Sequence, residues 1–463
     1  MKEWQSLVQV CKRWQEIIFA SPRYLNLFLC LVGDPVAKIL DGWPEFPLIL
    51  SYVVCQDYDN DIHDALAQQD RTRRIELIMR ESKADWIEGP MEQQFPHLTH
   101  LDLIGDPKYG PNRVPYLYVG GFLGGSAPSL QHLRLDNLNH EGLPSLLMSA
   151  PNLVSLQIKN IRPKSYISPE GMVGALAELT KLRNLCIGFS KWFSIRKVRL
   201  RQYPHSPSIN HAIFPALTKF QFGGDNEYLE DLVALIDAPR LEDLGIEYTK
   251  NYAVWIPDFT MKAGNLSQFI SRTAIFKHAQ FRRAKLTVGE RTTCVEFDLP
   301  QGECQQACLS LTLVDEDLRE LDTAFDVAQV LGQLTIILSD VQHLSIKGMD
   351  KGDQIDLLES GDFCIVWFPL LCSFLAVDVL HVPWRLAGSI ALMINDPPEN
   401  MATQVLPALQ VLWLDGEDEV REGKLMESIE QFLHFRKQSG HPVVIVNSYD
   451  QLIERQSPLV GVR

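Results

Sequence analysis

The stretch DYDNDIHD sets Asp57, Asp59 and Asp61 at alternate positions, the spacing with which a calcium loop begins. Such a loop needs Gly at its sixth position for the sharp turn and a bidentate Glu at its twelfth. Those places hold Ile62 and Gln68, so a solvated acidic turn leading into a helix is expected instead. Cys304 and Cys308 are separated by three residues, with no His or second Cys pair nearby at zinc spacing. That suits two core thiols on one helix face. GGFLGG, from Gly120 to Gly125, does not follow a clear buried strand and is not followed by the Lys-Ser/Thr of a phosphate loop. It reads as a turn. The 12 histidines are dispersed without an HExxH, and no G-x-S-x-G elbow occurs. The expectation is a chain with no catalytic residue, no metal ligand set and no cofactor.

Composition narrows the function classes further. The chain has 463 residues, 46% of them hydrophobic and 22% charged, as in a soluble folded protein. Its net charge of -15 disfavours nucleic acid and anionic membrane surfaces as partners. The nine cysteines are odd in number and scattered, which suits reduced thiols in a cytoplasmic or nuclear protein. MKEWQSLVQV has no apolar core ending in small residues, so no secretory signal is expected. FCIVWFPLLCSFLAVDVLHV, from Phe363 to Val382, is long and apolar enough to suggest a membrane span. Pro369 inside it and the alternating VDVLHV favour a buried helical turn followed by a core strand. The stretch FSIRKVRLRQYPH is basic, with Arg196, Lys197, Arg199 and Arg201, and reads as an exposed loop.

The elements that must carry any function announce themselves by repetition. The pattern apolar-x-x-apolar-x-apolar, often preceded by Pro, recurs as FPHLTHLDL, APSLQHLRL, APNLVSLQI, LTKLRNLCI, FPALTKFQF and APRLEDLGI. Its leading residues are Leu98, Leu130, Leu153, Leu182, Leu217 and Leu241, at steps of 32, 23, 29, 35 and 24. Later copies are VQHLSI, VDVLHV and LPALQVLWL, with weaker candidates at FRRAKL and LSLTLV. The last two apolar positions lie two apart and so point to one side of a short strand. Helical spacing fills the intervals. GLPSLLMSAP aligns Leu143, Leu146 and Leu147; EYLEDLVALIDAP aligns Leu229, Leu232, Leu235 and Ile236; LRELDTAFDVAQVLGQL aligns Leu318, Leu321, Phe325 and Val330. No unit covers its own apolar side, so units must stack. The fold class predicted is α/β, a solenoid with parallel strands on its concave side and helices on its convex side.

These units resemble leucine-rich repeats of the long, irregular kind. The usual Asn three positions after the last strand residue is mostly absent, and Asn137 in LRLDNL and Asn160 in LQIKNI come one position early. FLGGSAPSLQHLRL, YISPEGM and EYLEDLVALIDAPRLEDL also resemble F-box-like leucine-rich-repeat proteins of basidiomycete fungi, over most of the chain up to about residue 290.

At the front of the chain, Leu7, Val10, Cys11, Trp14, Ile17 and Ile18 follow helical spacing and form one apolar face. Ser21-Pro22 stops that helix. VCKRW followed by SPRYLNLFL resembles the second half of an F-box; the first half is not matched. The resemblance implies that Leu7, Val10, Cys11, Trp14, Ile17, Ile18, Pro22 and Leu25 contact the SKP-type adaptor of a cullin–RING ubiquitin ligase, while the repeats choose a substrate protein. A segment that only covers the end of the array is the alternative. The organisation expected is a partial F-box-like helical element over 1–32, a transition segment over 33–94, and an irregular leucine-rich-repeat solenoid over 95–463. Strand geometry puts His132, Arg134, Ser155 and Gln157 on the exposed concave side, as candidate substrate contacts. Two other functions stay open: a repeat scaffold without a ligase, and an enzyme on an unrecognised α/β fold.

Overall fold

The apolar triads of the repeated pattern are buried. Leu98, Leu101 and Leu103 are at most 1% exposed, and the triads led by Leu130, Leu153, Leu182, Leu217 and Leu241 are at most 2% exposed. Burying one such leucine is worth about 1.5–3 kcal/mol, so the repeats supply much of the core. The computed structural model describes residues 10–20, 26–29, 36–43, 45–54, 59–79, 85–106, 114–190, 211–249, 261–278, 281–289, 292–298, 308–314, 320–348, 368, 370–395, 405–415 and 423–447. The chain divides into two units, Met1–Gly224 with Leu235–Arg240, and Asp225–Ala234 with Leu241–Arg463.

In the first unit helix α1 (Lys12–Phe19) precedes the eight strands of its main sheet: β1 (Leu27–Leu29), β2 (Leu48–Val54), β3 (Thr72–Met79), β4 (His100–Gly105), β5 (His132–Asp136), β6 (Ser155–Ile161), β7 (Asn184–Phe189) and β8 (Lys219–Gly224). They lie side by side in chain order. Every neighbouring pair is parallel. The connecting elements also stand in chain order. Helices α2 (Val36–Gly42), α3 (Asp59–Leu66) and α4 (Asp85–Met91), a 3-10 turn (Val119–Gly125), α5 (Leu143–Met148) and α6 (Pro169–Leu176) each touch the next. GGFLGG is therefore a turn that takes a helix's place, with Leu123, Gly124 and Gly125 at positive φ. YISPEGM starts α6 for a local reason. Ser168 accepts a hydrogen bond from the Gly171 amide at 3.1 Å, and Pro169 opens the first turn.

Two asparagines tie adjacent repeats together. Asn137 and Asn160 hold left-handed φ values of 52° and 55°, conformations that Asn tolerates better than most residues. The Asn137 side-chain amide donates to the Gly105 carbonyl at 3.1 Å, and the Asn160 amide donates to Asp136 at 2.7 Å. Asn137 follows its strand, whereas Asn160 lies inside β6, where the register with β7 shifts between Ile158 and Ile161.

The second unit opens with α7 (Asn226–Ala234) and β9 (Asp243–Thr249), followed by α8 (Gly264–Arg272). The chain then makes β10 (Arg283–Val288), β11 (Thr292–Asp298) and β12 (Cys308–Val314). These join in reverse: β12 pairs with β9 in parallel, while β11 runs antiparallel to both β12 and β10. Thus FRRAKL and LSLTLV are strands, but they flank an antiparallel strand, TTCVEFD, that the repeat pattern does not anticipate. Chain order resumes in parallel from β10 through β13 (His343–Gly348), β14 (Val379–Pro383), β15 (Val411–Asp415) and β16 (Val444–Asn447). Helices α9 (Glu320–Gln333), α10 (Trp384–Asn395) and α11 (Gly423–Gln438) lie between these strands in the chain. Both units are mixed α/β with a mostly parallel sheet.

The segment ahead of α8 is held by side chains. Asn226 bonds both backbone groups of Lys262, at 2.6 and 3.0 Å. Gln329 and Gln333 accept from the amides of Met261 and Ala263 at 2.9 and 2.7 Å. The buried Glu230 carboxylate accepts from Asn265 and Leu266 at 2.8 and 3.0 Å, capping the helix from another element.

Two expectations need correction. Leu235 and Ile236 leave their helix, because α7 ends at Ala234 and Ile236–Asp237 pairs in parallel with Ala212–Ile213. Cys308 begins a strand and is half-buried, so it is not a core thiol on a helix. VDVLHV is a strand as read, and among the described residues no helix is long and apolar enough to cross a membrane.

Candidate functional site

The outward face of the first unit's sheet is polar because one residue in two points away from the leucines. Register places these residues in rows. Arg74, His100, His132, Ser155 and Asn184 form one row; Glu76, Asp102, Arg134, Gln157 and Cys186 form the next. His132, Arg134 and Gln157 point to this side, as alternation predicts, but are half-buried rather than exposed. Ser155 is a correction. It is only 6% exposed, because its short side chain lies between the larger His132 and Asn184.

Charges on this face are internally paired. Arg74 pairs with Glu76 and lies 3.7 Å from Asp102. Ser51 donates to Glu76 at 3.2 Å, and Arg134 donates to Asp136 at 2.8 Å. The imidazoles of His100 and His132 stack with centroids 4.2 Å apart and planes 16° from parallel. Burial, then the charges of His132 and Arg74, push His100 down to about 4. Burial also lowers His132, against the pull of Asp102. Burial, with Glu76 beside it, raises Asp102 although Arg74 opposes the change. Both rings are therefore neutral near pH 7. Thr99 donates its one hydroxyl proton to the Arg73 carbonyl at 3.0 Å, so its bond of 2.8 Å to His100 Nδ1 is one it accepts. The acceptor nitrogen of His100 is then Nε2. Arg74, Glu76, His100 and Asp102 were not among the expected contacts, although the alternation that picks out HLRL applies equally to HLDL.

The second unit has a counterpart face, where His381 stacks on Trp413 at 5.2 Å. Burial lowers His381, with Asp415 opposing it. Among the described residues there is no group of three or more His, Cys, Asp or Glu that could hold a metal ion.

Helix α1 presents a different surface. Val10, Trp14 and Ile17 are 66%, 47% and 54% exposed, and Cys11 is exposed too. Val10 precedes the helix; within it Trp14 and Ile17, three positions apart, form one stripe, and at about 100° per residue Phe19 lies nearly opposite it. Phe19 meets Trp43 at 5.8 Å and Phe46 at 6.0 Å, so the helix is held by one side while the stripe faces solvent. Leu7, Pro22, Leu25 and the Ile18 side chain lie outside the described residues, as does the basic stretch from Phe193 to His205.

No protein-family model and no curated protein matches the chain.

Proposed function

We propose that the chain is a protein-recognition molecule of the irregular leucine-rich-repeat kind, and that α1 docks it on the SKP-type adaptor of a cullin–RING ligase while the polar strand face holds a substrate protein. Strand order supports the repeat reading. In the first unit's main sheet each strand lies beside the one before it in that sheet, without the reversal at which doubly wound sheets bind ligands. The rows of paired charges and imidazoles offer polar contacts over a broad area rather than a nucleophile held by a base.

The observation that carries the docking role is the solvent-facing stripe of Trp14 and Ile17 on α1, with exposed Val10 just ahead of it and Phe19 packed on the far side. A helix that only covered the end of an array would turn that stripe inward. The test is a pull-down of the full chain with a purified SKP-type adaptor, beside Trp14→Ala. Retention lost on Trp14→Ala supports the reading. No retention of the unaltered chain removes the ligase role and leaves a repeat scaffold.

A further inference from the structure

A groove of roughly 570 Å³ runs across the starts of β3 to β7, at the edge of the sheet rather than on its outward face. Two rows of residues build it. Backbone hydrogen bonds link Arg73, Thr99, Gln131, Val154 and Arg183 in turn, each amide donating to the preceding carbonyl at 2.8–2.9 Å. One position of the turn in each repeat adds His97, Ser129, Asn152 and Lys181. Their side chains reach back along the array: Ser129 to the Pro96 carbonyl at 2.6 Å, Asn152 to the Pro128 carbonyl at 2.7 Å, and Lys181 to Asn152 at 2.6 Å.

Its charge is one-sided. Arg73 and Lys181 carry it, His97 lines the groove beside them, and none of the lining residues is an Asp or Glu. All three are exposed, and Arg183 continues the row at one end. Among the described residues none of these side chains has a carboxylate partner, and Lys181 bonds a neutral amide. On the outward face, by contrast, Arg74 and Arg134 each have an acid within reach. The cations stand at the two ends of the row, with Thr99, Gln131 and Asn152 between them. At about 4.8 Å per strand, Arg73 and Arg183 are roughly 19 Å apart, the reach of about six residues of extended chain.

We propose that this groove docks an extended acidic peptide segment of a partner protein, with carboxylates at both ends set against Arg73 and Lys181 and a polar middle lying on Thr99, Gln131 and Asn152. A long polyanion such as nucleic acid fits less well, because a chain of net charge -15 repels it beyond the groove. The site is separate from α1, so it stands whether or not the adaptor contact does.

The test is fluorescence polarisation of a labelled Asp-Glu-Gly-Ser-Glu-Asp peptide titrated with the full chain at low ionic strength. The expected result is saturable binding, weakened about tenfold or more by Arg73→Glu with Lys181→Glu and by added salt. The milder pair Arg73→Gln with Lys181→Gln, checked by thermal melting, serves if the charge reversals disturb the fold. Absence of saturable binding would overturn the proposal, as would binding indifferent to both pairs. Tighter competition by a single-stranded oligonucleotide of equal charge would overturn the assignment to a peptide.

Discussion

Asn137 gives its side-chain amide to the Gly105 carbonyl at 3.1 Å while its own backbone carbonyl lies where a Gly105 Cβ would have to be. Arg162 completes the arrangement by donating to the Asn137 side-chain oxygen at 2.9 Å. The two residues thus fix how closely successive repeats approach. Gly105→Ala forces the backbones apart and is expected to destabilise by about 2–4 kcal/mol. Asn137→Ala loses the bond and keeps a strained φ, and is expected to cost about 2 kcal/mol. Urea unfolding measures both; a Gly105→Ala midpoint equal to that of the unaltered chain would show that the repeats yield at this point.

Phe46 and Trp14 separate folding from docking. Phe46 is fully buried beneath Phe19, and Phe46→Ala is expected to lose about 3–5 kcal/mol. Trp14→Ala, on the exposed stripe, should change stability by no more than about 0.5 kcal/mol. Thermal melts of the two variants make the comparison. A large loss for Trp14→Ala would mean that the stripe is covered in solution.

His140 predicts a pH dependence. It is 4% exposed, and burial pushes it down to about 4 from the usual 6.5. Between those values the unfolded chain binds a proton that the folded chain refuses. Stability is therefore unaffected by His140 above pH 6.5, falls as pH drops from 6.5 toward 4, and levels off below, by on the order of 3 kcal/mol in all. His140→Gln should make the fall across that window shallower, the remainder belonging to His100, His132 and His381, which burial also lowers; a slope unchanged by the substitution would rule His140 out as a source.

Glu230 tests the capping of α8. Glu230→Ala leaves the buried Leu266 amide and the part-buried Asn265 amide without this acceptor and is expected to cost about 2–4 kcal/mol, whereas Glu230→Gln keeps one acceptor and should cost less. Hydrogen exchange at Asn265 and Leu266 would report the loss locally. Exchange as slow in Glu230→Ala as in the unaltered chain would mean that the helix start does not need the carboxylate.

The buried side of the fold is legible in the sequence because period-two spacing is a direct imprint of strand geometry, and the six leading triads turn inward together. The reversal at β11 is not, since TTCVEFD alternates as any strand does and nothing in its residues states direction. Helix ends are obscured where apolar residues continue beyond them: Leu235 and Ile236 keep the helical spacing although the chain has already turned into a strand. The polar face is legible in principle from HLDL and HLRL, but its pairing is not. Which cation finds an acid, and which does not, depends on residues brought together from about 25–30 positions apart, as Arg74 and Asp102 are, and that distance carries no local signal.

In the first unit the leading residues from Leu98 to Leu217 are separated by 23 to 35 positions, yet each strand of the main sheet advances it by one step, held by the same backbone rung and by side chains that grip the turn before. Insertions are thus taken up among the connecting elements and leave the strand faces in place. A lineage could lengthen or shorten these connections repeatedly while altering outward residues one at a time. Such a surface changes its preferences by substitution, with its spacing conserved as though it were printed on graph paper.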